Sequence, residues 1–186
     1  MPEDPRATAI LDFWLGEVGR DGWYEADAAR DTTIRERFGA MFDDAIAGRL
    51  GPWIRQHREC LALLILLDQF SRNIHRGDPR AFGGDARALS IASLSISLGH
   101  DLRIAMPDRQ FFYLPFMHSE RLADQERCVR LFVLNGQNDP GDNLEHAIKH
   151  RAVIRRFGRF PSRNAVLGRR DSAKELSYRA EGGYMA

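Results

Sequence analysis

Apolar residues recur along this chain at three- and four-residue steps, the period of a helix with one buried face, while the strict alternation of a strand is rare. That spacing predicts an all-α fold. A first helix starts near Pro5, whose fixed φ suits a first helical position, and carries Ile10, Phe13 and Trp14 on one face as far as Gly16. Trp23 and Tyr24 follow as a packing anchor. From about Ala28 an amphipathic helix lines up Ile34, Phe38, Met41, Phe42 and Ala45, ending between Gly48 and Gly51. The next helix, from Arg58 to Asn73, is apolar on every side over Cys60 to Leu67, the mark of a helix surrounded by others.

Residues 76–85 then read as an irregular loop, with Asp85 placed to cap a small-residue helix that ends at Gly99. Pro107 and Asp108 begin another helix, Pro115 bends or ends it, and Ser119 is placed to cap a helix closing near Gly136. Asp142 to Glu145 and Ser172 to Glu175 have the spacing of capping boxes, the first opening a helix that runs to Phe157, the second a short last helix. Residues 181–186 are expected to form a loose tail. Antiparallel helices joined by short loops make one domain over residues 1–186, a bundle or a superhelix, with no readable repeat period.

Composition narrows the class without naming an activity. The 186 residues, 44% hydrophobic and 28% charged, suit one globular domain with a real core. Cys60 and Cys128 lie inside apolar helical patterns and read as buried hydrophobes of a reducing compartment. With no apolar stretch long enough to span a bilayer and no leader-like start, a soluble cytoplasmic protein is expected. The net charge is only +1, but residues 149–174 hold nine bases against Asp171, so that end could face an anion. Arg151, Arg155 and Arg156 spread around their helix and leave no continuous basic stripe, which argues against nucleic acid.

Three apolar stems give way abruptly to polar clusters, and these carry the candidate chemistry. Leu61 to Leu67 leads into Asp68, Gln69, Phe70, Ser71, Arg72 and Asn73. Asp68 shares a helical face with Leu61, Leu64 and Ile65, so its carboxylate points into the core and requires a cation, for which Arg72, Arg159 and Arg163 are the candidates. An Asp–Arg staple with two amides tying down loops is the structural reading of the same residues. Phe111 to Met117 leads into His118, Ser119 and Glu120, with Asp124 and Gln125 one turn on. His118 beside a carboxylate such as Glu120 is an arrangement for general base catalysis; a core histidine bonded to backbone, with acids answering a helix dipole, is the alternative. His150 shares a face with Ile154 and Phe157 and should point inward. After that helix, Arg159 and Arg163 bracket Phe160 and Pro161, with Asn164 behind, and suit bidentate capture of a carboxylate or phosphate or equally pairing with Asp68 or Glu120. His146 and His150 stand four apart, but the Glu of HExxH is missing, and no metal or cofactor is assigned. No GxGxxG, Walker loop or GxSxG elbow occurs.

These strings, Leu66 to Asn73, Pro115 to Glu120 with Asp124 and Gln125, and Arg156 to Asn164 with Leu167, Gly168 and Arg169, resemble the bacterial domain-of-unknown-function family nine-two-four. The resemblance spans almost the whole chain. Ser162 stands where that family's pattern usually has His. The resemblance implies a helical fold like the tetratricopeptide superhelix and implies no activity.

Two functional classes follow. In one, Arg159, Arg163 and Arg72 hold a small anionic metabolite while His118, helped by Glu120, moves a proton in a metal-free hydrolytic, lyase or isomerase step, with Asp68 a further catalytic candidate; Gln69, Asn73, Asp124, Gln125, His150 and Asn164 line the site. In the other, a non-enzymatic scaffold binds a peptide or protein in a groove that displays Trp23, Trp53 or Phe82. Oligomeric state is open.

Overall fold

The computed structural model describes residues 2–136, 139 and 141–185, and every regular element among them is helical. Helix α1 (Pro5–Leu11) starts where the Asp4 side chain accepts the Arg6 amide, and it passes through a π-helical stretch, Asp12–Val18, into the single turn α2 (Gly19–Gly22). Asp27 caps α3 (Ala28–Ile46) in the same way. Then α4 (His57–Leu64), a second π-helical stretch, Ile65–Phe70, and α5 (Ser71–Ile74) follow one another as a single rod. The remaining helices are α6 (Asp85–Ser97), α7 (Leu114–Met117), α8 (Leu122–Asn135), α9 (Asn143–Phe157) and α10 (Ala173–Ala180).

The rod is central because its apolar run has no outward face. Residues from Cys60 through Phe70 are all buried. Helix α1 packs on α4, α3 on the π stretch and α5, and α6 on α4 and the π stretch, while α8 and α9 pair as a hairpin. Aromatic rings lock the middle: Phe70 meets Phe13, Trp14 and Phe38 at centroid distances of 6.1, 5.3 and 5.1 Å. A second, small cluster of Val153, Ile154 and Phe160, with Phe157, Tyr178 and Tyr184 against it, ties the end of α9 to α10.

Several elements depart from their expected form. The helix expected over Arg58 to Asn73 forms, but its middle, Ile65–Phe70, is π-helical, and a π turn inside an α-helix often marks a functional site. The segment after Pro107 is a short 3₁₀ turn, Asp108–Phe112. Asp142 makes no side-chain cap, whereas the Ser172–Glu175 box closes in both directions. Asp85 is the first residue of α6 and not its cap, because two arginines hold its carboxylate. Residues 181–185, expected to be loose, turn back on α10: Gly182 takes φ 73° and the Gly183 amide donates to the Tyr178 carbonyl at 2.9 Å. Among the described residues no helix is long and apolar enough to cross a membrane.

Where α6 begins, its backbone lies close against the rod. A Cβ built on Gly84 would lie 2.3 Å from the Leu67 carbonyl oxygen, next to Asp68 in the rod. Gly84→Ala is therefore expected to push α6 off the rod and destabilise the fold by about 1–3 kcal/mol, the usual range for overpacking. Urea unfolding of the variant checks this.

Candidate functional site

Asp68 is only 1% exposed, and its two carboxylate oxygens are both used. Oδ1 lies 2.7 Å from His118 Nδ1, and Oδ2 accepts from Gln69 Nε2 at 2.5 Å. Arg72, one turn on, donates to the Asp68 carbonyl at 2.5 Å and brings its guanidinium within 3.6 Å of Oδ1. Burial by itself would raise the Asp68 pKa. The charges of His118 and Arg72, with hydrogen bonds from His118 and Gln69, outweigh that and hold the carboxyl well below the ordinary carboxylate range. Asp68 is thus a buried anion. As the acceptor beside it is a carboxylate, Nδ1 of His118 is the nitrogen that donates in this bond.

Three successive carbonyls fix the backbone that carries this imidazole. Gln125 Nε2 donates to Met117 at 2.6 Å and to Ser119 at 2.7 Å, and Arg163 Nη2 donates to His118 itself at 3.0 Å. Asp124 steadies the same turn by accepting the Ser119 hydroxyl at 2.7 Å. Behind the dyad, Asp85 joins Arg72, at 3.1 Å, to Arg163, at 3.4 Å, and both guanidiniums lie over the Phe82 ring. Burial and the neighbouring Arg72 push the Arg163 pKa down to about 10, still charged at neutral pH.

The other expected site residues serve elsewhere. Glu120 does not support His118: its Oε1 accepts the Phe160 amide at 2.9 Å and Arg169 at 2.8 Å, so it pins the turn after α9. Asp68, fifty positions earlier in sequence, takes the place given to Glu120. Arg159 forms a fork with Glu175, both bonds 2.7 Å, and Asn164 donates to Asp171 at 2.6 Å, so this pair holds α10. Asn73 turns to α3, donating to Asp31 at 2.8 Å. Neither Arg159 nor Arg163 pairs with Asp68, which the sequence left open.

His118 opens on a cleft of about 870 Å³ whose walls include Tyr24, Gln110, Asn143, His146, His150 and Tyr184. Three of these form a fixed polar edge: the Gln110 side-chain oxygen accepts both the Tyr24 hydroxyl and, at 3.0 Å, the Asn143 amide. His150 is buried, with its ring centroid 6.5 Å from that of His118. Its Nδ1 donates to the His146 carbonyl at 2.8 Å, and burial with the nearby His118 pushes its pKa down to about 4. It is neutral at pH 7. Arg72, Arg159 and Arg163 are not among the lining residues; the charged ones are Arg20, Asp21, Asp139 and Asp142. Asp85, Asn143 and Tyr184 were missed from sequence because each stands in a segment that reads as a cap or a tail, and Gln110 because it stands in the first turn of an expected helix. Among the described residues no group of three or more His, Cys, Asp or Glu side chains is arranged to hold a metal ion.

A family model described as bacterial protein of unknown function (DUF924) matches residues 10–183. The chain belongs to that family. A solved family-sized protein, of unknown function and from Agrobacterium tumefaciens, is 40% identical, with 95% of this chain and 97% of that one covered at a TM-score of 0.89. No curated protein matches. The three strings supply the Asp68 dyad, the carbonyl clamps and the Arg159 side of the fork with Glu175.

The His150 pKa gives a pH prediction. A folded value near 4 against an unfolded one near 6.5 means that below pH 6.5 the unfolded chain binds a proton that the fold refuses. That stability is complete above pH 6.5 and is lost as pH falls towards 4, by up to ~3 kcal/mol. His150→Gln should flatten the profile between pH 6.5 and 4, as measured by urea unfolding at each pH.

Proposed function

We propose that the cleft binds a small polar metabolite and that His118, backed by Asp68, transfers a proton on it without a metal ion. One observation carries this reading: a fully buried carboxylate 2.7 Å from Nδ1 of an imidazole that lines the cleft. Such a pair holds the ring in one tautomer and orientation and stabilises the imidazolium formed when Nε2 takes a proton. The cleft volume lies within the range of small-molecule sites. Among its described lining residues there is no serine, threonine, cysteine or lysine, which favours direct proton transfer over a covalent intermediate on those groups. A lyase, isomerase or water-activating hydrolytic step all fit this description.

The ligand's charge follows from the walls. Arg72 and Arg163 stand behind the dyad and Arg159 faces Glu175, so the arginines expected to grip an anion are engaged elsewhere. With only Arg20 set against Asp21, Asp139 and Asp142, the lining carries excess negative charge, and a neutral or cationic hydrogen-bonding ligand suits it better than the anionic metabolite expected from the motifs. Buried free Cys60 and Cys128 suit the reducing cytoplasm in which this activity would operate.

The internally paired arginines favour the second reading, a tetratricopeptide-like scaffold for a peptide, but of the three aromatics expected on display Trp23 and Trp53 are 6% and 3% exposed, and Phe82, half-buried, has Arg72 and Arg163 over its ring. The two readings separate by experiment. A thermal-shift screen of uncharged and charged metabolites should yield polar hits that the wild type converts, and His118→Gln, folded but with a lower melting temperature because Asp68 loses a cationic partner, should bind them yet turn them over ~10²–10⁴-fold more slowly. Equal turnover by His118→Gln would remove the dyad from the chemistry.

A further inference from the structure

The segment that follows α10 is attached very differently from the helix itself. Helix α10 is bound by the Arg159–Glu175 fork and a closed capping box. Beyond it the chain passes through Gly182 and Gly183, and the side-chain contacts of the next stretch with α9 run through one residue, Tyr184. Its hydroxyl lies 2.9 Å from His146 Nδ1 and 3.4 Å from His150 Nδ1, its ring stands edge-on to His150 at 5.4 Å, and Lys149 lies over it at 5.6 Å. Tyr184 and Met185 both line the cleft into which His118 opens.

We infer that residues 182–185 form a lid on the His118 cleft, with Gly182 and Gly183 as its hinge and Tyr184 as its latch. Two adjacent glycines give the hinge its freedom. Gly182 already sits at φ 73°, where a side chain would be strained, and a Cβ on Gly183 would meet the Tyr178 ring at 2.4 Å. The closed position is therefore available to these residues and not to most others. The latch bonds are few, and they end on cleft residues: Tyr184 occupies His146 Nδ1 and crowds His150. A ligand that engages His146 at Nδ1 competes with the tyrosine hydroxyl for that nitrogen, so occupancy and lid position are linked. The titratable groups facing Tyr184 are Glu145, His146, Lys149 and His150 from α9 and Tyr178 from α10; Glu145 pairs with Lys149, and the Tyr184 hydroxyl itself contacts the two histidines. Sealing the cleft would exclude water from the Asp68–His118 dyad, the usual purpose of a lid in proton-transfer sites.

The lid's purpose rests on the acid–base reading, but its existence does not, and the test separates the two. Diethyl pyrocarbonate labels accessible neutral imidazoles, and peptide mapping reads His118 and His75 separately, His75 standing apart against Phe42 as an internal reference. Tyr184→Ala and removal of residues 183–186 should speed labelling of His118 several-fold while leaving His75 unchanged. Tyr184→Phe, which keeps the ring and drops both hydroxyl contacts, should give an intermediate rate and a native melting temperature. Equal His118 labelling in the wild type, Tyr184→Phe and Tyr184→Ala, all folded, overturns the lid. Faster labelling with no metabolite turned over would leave the lid standing and remove only the chemistry.

Discussion

One carboxylate that cannot reach water organises this protein. Asp68 sits in a rod whose surrounding residues are buried on all sides, and a lone charge there would cost several kcal/mol. It is retained because partners converge from three directions: Gln69 beside it, Arg72 one turn on, and His118 from the turn after α7. Each partner then needs its own support. Arg72 calls in Asp85, which calls in Arg163, and Arg163 in turn grips the carbonyl of His118. The circuit closes on itself, so the position of the imidazole and the neutralisation of the carboxylate are one arrangement.

This arrangement explains why polar strings far apart in sequence end on apolar stems. The stems bury the backbone and leave the polar residues at their ends no alternative to one another. Replacing the whole circuit with apolar residues could leave such a core as stable or more so, since buried ion pairs seldom repay their desolvation. What the polar version supplies is a fixed imidazole at the edge of a cleft.

The helical class, the central rod and the inward direction of Asp68 and His150 can all be read from the chain, because each depends on spacing within one helix. The pairings could not be read, because they depend on which helices meet. Glu120 is two residues from His118 in sequence and points to the turn after α9, while Asp68 is fifty residues away and touches it. Arg159 and Arg163 are one short turn apart, yet a 3₁₀ turn at Pro161–Arg163 sends one to Glu175 and the other to Asp85. The π stretch at Ile65–Phe70 has no distinct signature in a run of leucines, since periodicity reports a buried helix without its pitch. Tyr184 was hidden differently: a segment of glycines and small residues reads as frayed unless its single aromatic residue is known to have a place to dock.

The small cluster of Val153, Ile154 and Phe160 is packed apart from the main core. His118 stands on the side of the large, aromatic-locked body, whereas His150 touches Phe160 and Tyr184 on the side of the small one. The cleft therefore runs along a seam between a stiff block and a lighter one. Thermal fluctuation concentrates in such lightly packed parts, so the wall that carries His118 behaves as an anvil while the facing wall supplies the compliance that lets the cleft breathe without disturbing the Asp68 circuit.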